Sequence, residues 1–391
     1  MEKIRVRATN RSKQTMAHTA SSPHTRNDEI TTRVTRGARG AAPRLTYRDH
    51  RFTDEVARAT QPVWERLHGL LADVDWLLKA PIIHRIIQLK QEKRALILAH
   101  NYQLPEIAYG VADKVGDSLQ LAQYAAALNE DDAPVVVMCG VHFMAETVKV
   151  LAPERTVLIP DTAAGCSLAE SIAGAEVRLL KQHYPGTPVV SYVNTSAEVK
   201  AESDYCCTSS NAVRVVEAAA REFGSPRVLF LPDRYLAANV AQATSIEIVA
   251  WHGTCMVHER FTPELIRELR AQFPGVRVLA HPECPPEVCA EADFTGSTSG
   301  MIRDVQTSGA AKVVMVTECS MADNVAAENP GVDFVRPCVL CPHMQRITLP
   351  KVLTALETLS PQVEVDEKIV HAARRAVERM LAVSPLTPFA P

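Results

Sequence analysis

Ten cysteines are spread through the 391-residue chain, and three recur at nearly equal steps: Cys166, Cys255 and Cys341 stand 89 and 86 residues apart. The last belongs to a Cys-x-x-Cys pair, Cys338-Val339-Leu340-Cys341. Alone, such a pair is half a zinc site, a redox couple or part of an iron–sulfur ligand set. No second pair completes a zinc ribbon. Three thiolates, one from each of three segments, fit a zinc site or a [4Fe–4S] cluster. A cluster held by three cysteines leaves one iron open as a Lewis acid for a substrate oxygen or nitrogen. The alternative for all three is burial as core thiols, a common fate of free cysteine. His258, three residues after Cys255, is a candidate fourth ligand or substrate-binding group.

A second set of reactive side chains ends three short apolar runs: Ala95–Tyr102 (ALILAHNY), Pro188–Thr195 (PVVSYVNT) and Arg277–Cys284 (RVLAHPEC). Their first polar-end residues, His100, Tyr192 and His281, are 92 and 89 residues apart. With Tyr102, Asn194, His258 and Glu283 they make a set rich in acid–base groups. Each run leads to a small-hydroxyl turn: Gly116–Leu119 (GDSL), Thr208–Asn211 (TSSN) and Gly296–Gly300 (GSTSG). Such turns cap helices, and helix N-termini hold carboxylates and phosphates.

The elements that must position these groups repeat with the same period. A second apolar strand follows each turn: Pro134–Met138, Pro226–Leu231 and Ala311–Val316. A short helix comes next, over Phe143–Val148, Leu236–Val240 and Met321–Val325. A third strand, Thr156–Pro160, Ile246–Trp251 or the weaker Val332–Val335, then leads to a cysteine. This predicts an α/β protein of three similar three-layer αβα domains, each a small parallel sheet with right-handed helical crossovers. Ligand groups belong at the carboxyl ends of such strands. Packed around a pseudo-threefold axis with those ends inward, the three cysteines meet at the centre.

The expected division is an Arg/Ser/Thr-rich disordered extension (1–51), helices plus the first unit (52–165), the second unit (166–254), the third (255–341) and C-terminal helices (342–391). Val56, Val63, Leu67, Leu70, Leu71 and Val74 fit one helix face, and Ile82, Ile83, Ile86 and Ile87 a second helix. Val370, Ala373, Val377 and Leu381 stripe the last helix, which is expected to fold back over the mouth of the site. A net charge of −3 offers no basic field for nucleic acid, and 5% aromatic content no stacking platform. No apolar run approaches the roughly 20 residues that span a bilayer. No Walker loop or Gly-x-Gly-x-x-Gly signals a nucleotide. The residues alone suggest a small polyanionic substrate, a Lewis-acid metal centre and proton transfers, the parts of a dehydration or condensation. A zinc-dependent hydro-lyase or aldolase, and a three-domain dicarboxylate-binding protein with a structural metal, are the competing readings.

Nine ordered motifs resemble bacterial quinolinate synthases: Ala99–Gln103, Gly116–Leu119, Cys139–Thr147, Ala164–Leu168, Ser191–Thr195, Trp251–His258, His281–Cys284, Gly296–Gly300 and Cys341–Met344. The resemblance implies a [4Fe–4S] cluster on Cys166, Cys255 and Cys341. It implies condensation of iminoaspartate with dihydroxyacetone phosphate to quinolinate, releasing phosphate and water, on the cytoplasmic route to NAD. It implies Glu283 as general base with His281 beside it, and Tyr192 near the reacting carbons. His100 and Tyr102 become groups that contact substrate and assist proton movement. Asn194 becomes a substrate-binding group acting with Tyr192 from the second unit, Ser118, Ser209, Ser297 and Thr298 become groups for carboxylate and phosphate, and His258 is expected close to the phosphate or carboxylate end. A transient partner is the aspartate oxidase that makes iminoaspartate. Some members carry a further cysteine three residues before the position of Cys338; here it is Val335. Cys338 could instead pair with Cys341, in competition with the cluster. Cys139, Cys206, Cys207, Cys284, Cys289 and Cys319 are expected to be core thiols.

Overall fold

The computed structural model describes residues 51–129 and 132–384. The stretch 1–51, expected to be unstructured, therefore lies outside the described residues except for Arg51. Two helices open the fold, α1 (Asp54–Leu67) and α2 (Asp73–Lys93). Thr53 caps α1 by accepting the Val56 N–H, and Val56, Thr60, Val63 and Leu67 form its buried face. Val74, expected on that face, instead lies in the first turn of α2 and is 64% exposed. The chain turns at Gly69, whose φ of +88° suits a residue without Cβ, and this breaks the apolar period there.

The first unit contains β1 (Ala95–His100), α3 (Pro105–Ala108), β2 (Lys114–Gly116), α4 (Ser118–Ala126), β3 (Val135–Cys139), α5 (His142–Leu151) and β4 (Thr156–Leu158). The second contains α6 (Gly174–His183), β5 (Val189–Tyr192), α7 (Ala197–Glu202), β6 (Tyr205–Cys207), α8 (Ala212–Phe223), β7 (Arg227–Leu231), α9 (Arg234–Ala243) and β8 (Glu247–Ala250). The third contains α10 (Pro263–Gln272), β9 (Arg277–Ala280), α11 (Pro286–Glu291), β10 (Phe294–Thr295), α12 (Thr298–Thr307), β11 (Lys312–Val316), α13 (Cys319–Glu328) and β12 (Asp333–Val335). Helices α14 (Leu349–Thr358) and α15 (Glu367–Ala382) close the chain.

The three sheets share one topology, β2-β1-β3-β4, β6-β5-β7-β8 and β10-β9-β11-β12, and all pairings are parallel. Each sheet thus has four strands where the sequence pattern gave three. The extra edge strands β2, β6 and β10 span only two or three residues, too few for a periodic signal. A repeated aspartate introduces each of them. Asp113, Asp204 and Asp293 accept the main-chain N–H of Ile97, Val189 and Val278, each at 2.8 Å. Their own N–H groups bond the carbonyls of those same residues, so each aspartate ties both backbone groups of the neighbouring strand.

Buried apolar side chains of the first unit, one face of the second sheet, α14 and α15 form one continuous core, while the other face of the second sheet and both faces of the third pack separate apolar layers. Helix α15 packs on α5, α7 and β6 through Ala373, Ala376, Val377 and Met380. None of its described residues lines the central cavity, so it does not cover the mouth of the site. Among the described residues no helix is long and apolar enough to cross a membrane.

Candidate active site

The carboxyl ends of the three sheets open into one cavity with about 720 Å³ of empty space, part of it open to solvent. His100, Tyr102, Ser118, Tyr192, Asn194, Ser209, His258, His281, Glu283, Thr298 and the three spaced cysteines all line it. Ser297 does not. It is the N-cap of α12 and accepts the Gly300 N–H at 3.2 Å, and Thr298 behind it faces the cavity.

The three cysteines begin the same turn. The carbonyls of Cys166, Cys255 and Cys341 accept the N–H four residues on, from Glu170, Glu259 and Gln345, each at 3.0 Å. A short 3-10 helix follows each one: Ala169–Ser171, His258–Arg260 and Met344–Arg346. The backbone N–H groups two and three residues on act on each thiol to favour its charged form: Leu168 and Ala169, Val257 and His258, His343 and Met344. Burial pushes the Cys166 thiol up to about 12 and raises those of Cys255 and Cys341, and the amides oppose that rise. The backbone therefore acts in the same direction on all three sulfurs.

Cys338 is not part of this set. It forms a disulfide with Cys319, with Cα atoms 4.9 Å apart, and Cys341 stays free. Cys319 is therefore not a core thiol, and Cys338 does not pair with Cys341. The reason is strand order. β12 lies beside β11, so the loop after β12 passes over the N-terminus of α13, where the Cys319 N–H bonds the Val339 carbonyl at 3.1 Å. Cys139, Cys206, Cys207 and Cys284 are buried free thiols as expected, and Cys289 is half-buried.

Beside Cys255, a hydrogen-bonded chain joins the three units. The Tyr192 hydroxyl donates to Glu283 Oε1 at 2.5 Å, and Glu283 Oε2 lies 2.8 Å from His258 Nδ1. His258 Nε2 meets Thr317 Oγ1 at 3.0 Å, which in turn meets the Tyr102 hydroxyl at 2.6 Å. His258 Nδ1 is also 3.2 Å from Cys255 Sγ. Burial acts to raise the Glu283 carboxyl, but His258 and the Tyr192 hydroxyl outweigh it and hold the group below the usual carboxylate range. Burial lowers His100 to about 4 and His281 to about 3, against the pull of Glu283, so both rings are neutral near pH 7. Burial, reinforced by Glu283, raises both Tyr102 and Tyr192, keeping the phenols protonated.

One wall of the cavity is built from helix starts. Ser118 opens α4, Thr208 and Ser209 precede α8, and Thr298 opens α12. Ser209 Oγ lies 3.2 Å from His281 Nε2. Asn194 Oδ1 is buried with no hydrogen-bond partner, an acceptor left for a ligand. Sequence reasoning missed Thr317 and Glu318, which directly follow β11. Glu318 faces the cavity, and its Oε1 accepts the Cys341 N–H at 3.2 Å. Burial pushes its carboxyl up to about 7.

A family model described as Quinolinate synthetase A protein (NadA) matches residues 84–382. The chain belongs to this family. The quinolinate synthase of Caulobacter vibrioides is 54% identical over 334 residues, covering 85% of this chain and 90% of that one. Quinolinate synthase 1 of Mesorhizobium japonicum is 56% identical over 328 residues, 84% of this chain and 99% of its own. The quinolinate synthase of Xylella fastidiosa is 59% identical over 301 residues, 77% and 87% of the two chains. As a quinolinate synthetase A family member the chain is an enzyme, and its cavity is the family's candidate active site.

Proposed function

We propose that the chain is a quinolinate synthase. It condenses iminoaspartate with dihydroxyacetone phosphate, releasing phosphate and water, with a [4Fe–4S] cluster on Cys166, Cys255 and Cys341. The observation that carries this reading is the identical turn beneath all three sulfurs at the mouths of three sheets. N–H groups aimed at sulfur are a recurrent support of iron–sulfur ligands. A single zinc fits less well. Around one tetrahedral zinc, thiolates about 2.3 Å from the metal lie roughly 3.8 Å apart. Among the described residues, only Cys255, His258 and Glu283 have three metal-capable atoms all within 4.8 Å of one another, and there the histidine nitrogen is hydrogen-bonded. When bound, the cluster supplies a Lewis-acidic iron with one position free of protein ligands.

The chain's own residues supply binding and proton transfer. The substrates carry two carboxylates and one phosphate, and three helix starts at Ser118, Ser209 and Thr298 face the cavity to receive anions. Glu283, ionised near neutral pH, takes the proton from substrate carbon during isomerisation and dehydration. Tyr192, held protonated and bonded to Glu283, is placed to return a proton to the departing oxygen. Neutral His100 and His281 donate and accept hydrogen bonds without adding charge. Thr317 links His258 to Tyr102, which carries protons between the third and first units. A cytoplasmic location and a transient meeting with aspartate oxidase belong to the same reading.

The test is anaerobic purification, an iron and sulfide count with a visible spectrum, and an assay with dihydroxyacetone phosphate and freshly generated iminoaspartate. Four irons and four sulfides per chain with quinolinate formation are expected, by the definition of the cluster. Folded protein that binds zinc alone, or binds both substrates without making product, would overturn the reading in favour of a zinc enzyme or a binding protein.

A further inference from the structure

The loops that follow β1, β5 and β9 are one turn used three times. Counting the first polar-end residue of each run as n, these residues are His100, Tyr192 and His281, the last residue of β1 and of β5 and the residue just after β9. Position n+2 is then Tyr102, Asn194 or Glu283, and all three side chains line the cavity. In the first and third loops the N–H of n+3 bonds the carbonyl of n at 2.9 Å, and the N–H of n+2 reaches the histidine Nδ1 of n. In the second loop the Thr195 hydroxyl bonds the Tyr192 carbonyl at 3.0 Å.

Carbonyls n+1 and n+3, on either side of the cavity-facing residue, are held in every loop by one nitrogen. Asn324 Nδ2 donates to the carbonyls of Asn101 (3.1 Å) and Gln103 (2.8 Å). Asn239 Nδ2 donates to those of Pro282 (2.8 Å) and Cys284 (3.1 Å). Lys200 Nζ donates to those of Val193 (2.9 Å) and Thr195. The asparagines come from the neighbouring unit: α13 of the third reaches the first, and α9 of the second reaches the third. The matching position on α5 of the first unit is Thr147, one residue before Val148 as Asn239 precedes Val240 and Asn324 precedes Val325. Its hydroxyl is too short to cross and bonds the Phe143 carbonyl of its own helix at 2.7 Å. Lys200, fully buried on α7 with its ammonium over the Phe143 ring, fills that place from inside the second unit. Glu146 completes the first unit's tie to the second by accepting the Ala197 N–H at 3.0 Å.

We propose that Asn239, Asn324 and Lys200 are three equivalent positioning residues, each clamping the two carbonyls that flank Glu283, Tyr102 or Asn194, and so setting the side chain that faces substrate. The inference rests on the proposed activity for its kinetic consequence, but the clamp itself can be read without turnover. Removing a clamp strands two buried carbonyls and frees the residue between them to shift. A displacement near 1 Å at a catalytic group costs up to about a hundredfold in rate.

The experiment compares wild type with Asn239→Leu, Asn324→Leu, Lys200→Met and the double variant Thr147→Asn/Lys200→Met, which transplants the asparagine clamp into the first unit. All are purified anaerobically with iron counted. Amide hydrogen exchange is followed in the segments 100–103, 192–195 and 281–284, and kcat is separated from KM. Each single variant is expected to keep its iron, to gain exchange only in its own loop, and to lose roughly ten- to a hundredfold in kcat with a smaller change in KM. The double variant is expected to regain most of what Lys200→Met loses. If Lys200→Met is recovered only as aggregate, the comparison is Asn239→Leu against Asn239→Gln, whose longer amide restores a donor. Unchanged exchange in the targeted loop, kcat within twofold of wild type, or no recovery in the restoring variant overturns the proposal. A wild type that makes no quinolinate overturns the assigned activity instead, and the exchange pattern still decides the clamp.

Discussion

The sulfur side of the cavity and its acid–base side are built by the same three units under opposite rules. On the sulfur side the units are alike: one cysteine, one turn and two N–H groups per sulfur, three times over. On the acid–base side the backbone repeats but the side chains do not. The strand-end positions hold His100, Tyr192 and His281, and two residues on they hold Tyr102, Asn194 and Glu283. Under the proposed function, a cluster presented with three equivalent contacts rewards repetition, and a substrate pair with unlike ends rewards divergence on a repeated frame. On that reading one architecture supplies both a symmetric holder and an asymmetric reaction site.

That contrast breaks most sharply at the cysteines. Cys166→Ala, Cys255→Ala and Cys341→Ala are each expected to reduce bound iron and turnover to background, to the same extent. An anaerobic iron assay checks this, and one variant retaining full iron would end the equivalence. The acid–base side should behave differently. Glu283→Gln is expected to keep full iron while kcat falls by about a hundred- to ten-thousandfold. Undiminished turnover in that variant removes Glu283 from its role as base.

The third unit's disulfide offers a subtler test. Cys338→Ala should leave iron content unchanged, because Cys338 lies outside the repeated set. Its disulfide closes a separation of 19 residues, so its loss should cost about 3 kcal/mol and lower the unfolding midpoint by several degrees. Thermal unfolding of oxidised wild type against the variant measures this, and iron loss in Cys338→Ala would give that cysteine a part in the ligand set. The smallest effect concerns pH. His100 and His281 have folded values of about 4 and 3, below their ordinary 6.5. The unfolded chain therefore binds more protons between about 6.5 and 3. Their contribution is present above pH 6.5 and is lost as pH falls through that window. His100→Gln should flatten the acid side of a midpoint-versus-pH curve, and an unchanged slope would count against a neutral, buried His100.

Much of this was legible from spacing. Period recovers the parallel sheets because buried parallel strands are continuous apolar runs, such as Val135–Cys139 and Lys312–Val316. Spacing favours Cys341 over Cys338 by a single residue, and the Cys-Pro-x-Met resemblance carries the rest; in the structure Cys338 is bound in a disulfide and Cys341 is free. What stays hidden has physical causes. Edge strands of two or three residues carry no periodic signal. Thr317 and Glu318 enter the site through strand order, not through a motif. The pairing of Cys319 with Cys338 depends on β12 lying next to β11, a neighbour relation the linear sequence does not state. Lys200 reads as an ordinary helix-surface lysine in the run Ala197–Glu202, yet its side chain is fully buried. Its acceptors are two carbonyls of the preceding loop, and main-chain groups leave no trace in side-chain identity.

Cys166 precedes the second sheet, Cys255 the third, and Cys341 follows the last strand of the third. The proposed ligand set is therefore also a report on assembly. Its three sulfurs face one cavity only when all three units are folded. A molecule in which any one unit has opened presents at most two of them, so bound iron would count fully folded molecules.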